Sequence, residues 1–129
     1  MIGILITYLL KASAGLTALV DGVSIYPYVI NENTKLPAIV YTMDSVSPSY
    51  TSDGWSGDTV TFSVVSFSNN YSNLQDIVWE IREALELKNG SYGDVNYWNI
   101  LMVSLSEGYN INEDVYMNKM TFSVEITQY

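Results

Sequence analysis

The sequence predicts an α+β fold: a two-layer sandwich in which a mainly antiparallel sheet of about four or five strands carries helices on one face. Three features of the chain carry that expectation. Residues 58–67 and 119–127 alternate apolar and polar side chains with the two-residue period of a half-buried strand. Residues 2–12 and 72–87 instead space their apolar side chains by three and four, as a helix does. The elements follow the order helix, strand, strand, strand, helix, strand, strand, with no repeat and no low-complexity linker. With 129 residues, 48% of them hydrophobic, the chain suffices for one core and falls short of two ordinary ones, so residues 1–129 read as a single domain.

Ile2, Leu5, Ile6, Leu9 and Leu10 make the first helix amphipathic, with Gly15 as its break. An apolar opening followed by Ala12-Ser13-Ala14 has the outline of a secretory signal. Its first base, Lys11, follows the apolar run instead of preceding it, and ten residues fall short of the ~20 that span a bilayer, so a buried helix is expected and no membrane. Residues 16–20 give a short second helical turn ended by Asp21-Gly22. Residues 23–30 have strand composition, but Pro27 lacks the donor of a central strand, so a short edge strand is expected, followed by a loop at 31–35.

A longer strand over 37–47 places Ile39, Tyr41 and Met43 inward. Pro48, Asp53-Gly54 and Gly57 then read as the long tip of a hairpin, and its return strand turns Val60, Phe62 and Val64 inward. Ser72 and Gln75 have the spacing of a capping box, which starts the second main helix. Leu74, Ile77, Val78, Ile81, Ala84 and Leu85 form its stripe, and Asn89-Gly90 offers its C-terminal cap. Strands at 97–106 and 119–127 close the fold around a second long tip at 107–118.

Composition removes most chemistry. The chain has no Cys and no His, which excludes disulfides, thiolates, the usual ligands of zinc, copper and haem, and every Ser-His or Cys-His nucleophile. Neither a catalytic site nor a cofactor is expected. Fourteen acids against five scattered bases give a net charge of -9, the wrong sign for gripping nucleic acid by its phosphates. Asp53 and Asp58 bracket the first tip and Glu113 and Asp114 sit on the second, but nothing around them reads as the cleft that paired-acid catalysis needs. Neither "DGWSGD" nor "NINED" has the ligand pattern of a calcium loop. The strand-to-helix junction Ser68–Ser72 has no glycine and no base, so it cradles no phosphate.

Aromatics are abundant, with eleven Tyr and three Trp. Tyr26, Tyr28 and Tyr41 suit strands. Tyr50, Trp55, Tyr109 and Tyr116, on or beside the Ser/Asn-rich tips, are the candidate protein-contact residues.

Taken in order, Leu9-Leu10, then Leu16, Leu19, Val20, Asp21 and Gly22, then Ile25-Tyr26-Pro27, then Pro37 with Ile39-Val40-Tyr41, resemble the opening of the tail-completion proteins of long-tailed bacteriophages, also called tail terminator or tail-to-head joining proteins. The strand at 61–68 leading through a polar turn into a helix that ends Ile81 to Leu85 is similar to the next part of that family. The likeness is close over residues 2–87 and general thereafter. It implies a structural virion protein, made in the cytoplasm of a bacterial host and placed at the head–tail junction. There it forms a ring, a hexamer, on the tail tube and meets the head connector or stopper protein. DNA passes through such a ring without specific binding, and Asp44, Asp53, Asp58, Glu113 and Asp114 are the acids expected at its lumen or rim. The alternative from composition alone is a small acidic binding or inhibitor module that covers a basic partner.

Overall fold

The structure is a computed structural model and describes residues 2–20, 25–28, 36–52 and 54–128. Its elements are α1 (Ile2–Lys11), α2 (Ala14–Leu19), β1 (Ile25–Pro27), β2 (Ala38–Thr51), β3 (Gly54–Ser68), α3 (Tyr71–Leu85), β4 (Gly90–Tyr92), β5 (Val95–Asn110) and β6 (Val115–Gln128). They form an α+β fold with one six-stranded sheet in the order β1-β2-β3-β6-β5-β4. β1 pairs with β2 in parallel and every other pair is antiparallel.

The sheet is larger than the four or five strands expected, and it is curled into a half-barrel instead of lying flat as one layer of a sandwich. The additional strand is β4, whose first residue, Gly90, was expected in the cap of the preceding helix and whose other two fall in no expected element. The curl brings β4, at one edge, and β2, next to the other edge, to α1: Tyr8 of α1 stacks on Tyr92 of β4 at 4.4 Å, and Tyr8, Tyr92 and Tyr41 of β2 line one pocket. The helices fill the concave side.

Periodicity accounts for the core. The whole α3 stripe from Leu74 to Leu85 is buried, as are Val60, Phe62 and Val64 of β3 and Met120, Phe122 and Val124 of β6. Phe62 and Phe122 face each other across the ladder with ring centroids 5.5 Å apart. Leu5, Ile6 and Leu10 of α1 and Leu16 of α2 close the cluster. Each such Leu or Ile contributes roughly 1.5–3 kcal/mol by leaving water. Met43, expected inward, is exposed: it shares a face with Ile39 and Tyr41, but the core reaches β2 only as far as Tyr41, and the register shift between Met43 and Ser45 comes after it.

Local signals were redistributed. α1 ends at Lys11 and Ser13 caps α2, its hydroxyl accepting from the Leu16 amide, so Gly15 lies inside α2 and is no break. α3 is capped by Asn70 and not by Ser72: Asn70 is extended, and its Oδ1 accepts from the Asn73 amide at 3.0 Å. That placement satisfies a first-turn donor two residues before the expected box. The left-handed position after α3 is Leu87 (φ 63°), not Asn89-Gly90. The expected break at Asp21-Gly22 and the loop at 31–35 lie outside the described residues.

Both hairpins depart from expectation in the same way. Strand pairing runs through the residues read as tips, from Ala38–Phe67 to Thr51–Gly54 in one and from Val95–Gln128 to Asn110–Val115 in the other. Pro48 is accommodated opposite Asp58, and a further register shift falls between Ser49 and Tyr50. At ~3.3 Å per residue, strands of 14 to 16 residues reach roughly 46–53 Å. The register places the two turns at opposite ends of the sheet, since β3 leaves the first turn beside Ile126 and arrives beside Tyr116 at the second.

Candidate protein-contact surfaces

The candidate contact residues fall into two groups, one at each end. At the second-hairpin end, Tyr116 packs between Tyr109 (centroids 4.6 Å) and Tyr71 of α3 (5.3 Å, edge-on). Tyr71 donates to Glu107 Oε2 at 2.9 Å, Gln75 donates to Glu107 Oε1 at 3.0 Å, and Tyr109 donates to Asp114 Oδ1 at 2.6 Å. Asn69 completes the set by donating to the Asp114 carbonyl. The bonds from Asn69, Tyr71 and Gln75 tie the turn end of the β5–β6 hairpin to the start of α3.

They also set the titration of the cluster. The Gln75 and Tyr71 donors hold the Glu107 carboxyl below its ordinary range. Asn118 lies close enough to favour the same charged form, yet its amide lacks the alignment of a hydrogen bond. Tyr71 and Tyr109 are raised, chiefly because their phenol protons are held by Glu107 and Asp114. The sequence therefore finds Tyr109 and Tyr116 but misses their partners Tyr71, Gln75 and Glu107, which only the fold brings together. Beside the cluster, Phe67, Ile111, Val115 and Met117 line an open groove of about 520 Å³.

At the first-hairpin end Tyr50 is 71% exposed and pairs in register with Trp55. Gly57 adopts φ 135°, and a β-carbon there would come within 2.7 Å of the Ile126 carbonyl, so glycine is required where β3 begins to run beside β6.

The five acids are not gathered. Asp44 sits at the β2 register shift and accepts from Ser63 and Thr42. Asp58 lies opposite Pro48 and Ile126 near the first end. Glu113 and Asp114 belong to the second turn, and Asp53 lies outside the described residues. Among the described residues no three Asp or Glu side chains approach as metal ligands would.

Two surfaces escaped the sequence reading. Trp79 projects from α3 with 61% exposure; its signal was a large aromatic lying off the apolar stripe. An open pocket of about 510 Å³ lies between α1, β2 and β4, lined by Ile4, Thr7, Tyr8, Lys11, Tyr41 and Tyr92. No periodicity foretells it, because it depends on the curl. No described helix is long and apolar enough to cross a membrane.

Comparison with known proteins adds to this geometry. The family model described as tail completion protein gp17 matches residues 5–104. A chain of the solved structure described as the virion of a native gene transfer agent particle has the same fold, with a TM-score of 0.80 at 15% identity over 94% of this chain and 90% of that one. No curated protein sequence matches.

Proposed function

The chain belongs to the tail completion protein gp17 family, a structural and non-enzymatic protein of phage tail assembly, and from that premise we propose that it caps the tail tube as a ring at the head–tail junction. The whole of residues 1–129 acts as one domain in this role. Six copies close the ring through a heterologous interface, in which two different patches of one subunit meet those of its neighbours. One axial face meets the tube protein and the other the head connector. Asp44, Asp53, Asp58, Glu113 and Asp114 face the lumen or its rim, where like charge keeps DNA from adsorbing as it passes. Tyr50, Trp55, Tyr109 and Tyr116 supply contacts at the two ends.

One observation carries this reading above others available to the family. A single rigid sheet projects hairpins from both of its ends, so each subunit offers surfaces in two opposite directions. An acidic inhibitor of one partner needs only one.

The test is electron microscopy of particles assembled with and without the protein. Its omission is expected to leave over-long tubes or unjoined heads and tails, and purified protein added to free tubes is expected to cap them. Particles that mature normally in its absence overturn the reading.

A further inference from the structure

We infer that the open edge of β5 is a strand-docking site whose occupant is β2 of a second copy of this chain; the inference rests on the ring reading above. β4 covers β5 only at Val95–Tyr97, and the Leu87 amide reaches it once more at the Ile100 carbonyl. Among the described residues no strand pairs with residues 101–110 on the side away from β6. After the register shift between Met102 and Ser104 the ladder with β6 is regular to Asn110, so that stretch presents an evenly spaced row of backbone donors and acceptors.

Exposed edges of this length are ordinarily blunted by lysine, proline or inward-pointing charge. Residues 101–110 contain no Lys and no Pro, and their one charge, Glu107, is engaged by Tyr71 and Gln75. Leu101, Val103 and Leu105 are exposed along it, Val103 by 62%. An unprotected apolar edge of this kind recruits a strand.

The other side of the sheet supplies one. β1 covers β2 only at Ile39–Tyr41, and the described residues place no strand beside Thr42–Ser47, where Met43 and Val46 are exposed. Polarity selects the pair. In a cyclic ring all subunits point the same way along the axis, and β5 runs toward the second-hairpin end while β2 runs away from it. β5 of one copy therefore meets β2 of the next antiparallel, whereas two β5 edges meet only across a two-fold axis that a ring with distinct faces lacks. β4 and β1 occupy opposite corners, so the open stretches are diagonal and the neighbour is displaced along the strands, as strands tilted about a ring axis are.

The test uses two variants of the full chain, Val103→Lys/Leu105→Lys on β5 and Met43→Lys/Val46→Lys on β2, with circular dichroism to establish that each folds. Native mass spectrometry is expected to show ring-sized wild type and two variants whose self-association is roughly 100-fold weaker, the loss of a few interstrand hydrogen bonds. Mixed in equal amounts, the variants are expected to form a one-to-one dimer and nothing larger, because each retains one intact edge. Variants that assemble like wild type, or a mixture that yields no dimer, overturn the edge pairing and leave the ring reading standing. Wild type that stays monomeric both alone and on purified tail tubes overturns the ring reading itself. Hydrogen exchange gives a readout free of substitution: those amides of residues 101–110 that point away from β6 are expected to slow at least ten-fold, roughly, on assembly, as newly paired groups do, and unchanged exchange sinks the proposal.

Discussion

At Leu87 the chain leaves α3 in a left-handed conformation (φ 63°) so that its amide can reach the Ile100 carbonyl at 2.7 Å, while its side chain stays 69% exposed. A branched side chain in that conformation costs about 1–2 kcal/mol and here recovers little by packing. Leu87→Gly is expected to raise stability by about 1 kcal/mol, a shift of several degrees in a calorimetric melting temperature. Glu107 makes a pH-dependent contribution. Its folded carboxyl titrates below the unfolded one, so the charged form stabilises the fold. That contribution is complete above the ordinary glutamate value of about 4.3 and fades as pH falls through the lowered folded value. Denaturant titrations are expected to show wild type ahead of Glu107→Gln at neutral pH and the gap closing in acid. Ser66 and Asn118 stand opposite each other in the β3–β6 ladder, and the Ser66 hydroxyl and Asn118 amide are buried with no hydrogen-bond partner among the described residues.

Among the elements, α3 shows both what the sequence reveals and where it misleads. Its apolar stripe was legible to the residue, because spacing by three and four leaves few other ways to bury six side chains. Its start was not, since "SNNYSNLQ" offers several good capping residues, Asn70 and Ser72 among them, and only the direction of the incoming strand decides between them. Asn70→Ala is expected to cost about 1 kcal/mol and Ser72→Ala only a few tenths, measured by chemical unfolding; the reverse order would restore the expected box. The alternating faces of β3 and β6 were equally plain. The lengths of the hairpins were hidden, because Pro48, Gly54 and Gly57 are turn residues by composition, and only ladder pairing with neighbouring strands keeps them in the sheet. β4 was hidden for the same reason: Gly90–Tyr92 is a strand only because β5 lies beside it.

For the molecule as a whole, the acids proposed for the lumen are spread from one end of the sheet to the other, so their effect is collective. Replacing Asp44, Asp58, Glu113 and Asp114 by their amides removes four of the fourteen acids and leaves the fold's apolar core untouched. Particles carrying that variant are expected to assemble yet release DNA more slowly, the more so at low salt where screening is weak. Release at the wild-type rate across salt concentrations would remove these residues from the channel. The contact aromatics, by contrast, were legible as residues but not as a cluster: which of them meet depends on register, and register places Tyr109 and Tyr116 together and Tyr50 at the far end.

That separation has a mechanical side. β3 and β6 lie side by side from Asp58–Ile126 to Ser68–Tyr116, and each joins a different hairpin. Tension applied between the two turns would try to slide one strand past the other, loading the transverse hydrogen bonds in shear so that they resist together and do not yield one at a time. A subunit built this way is a tie-rod: it can transmit a pull along its length without peeling open.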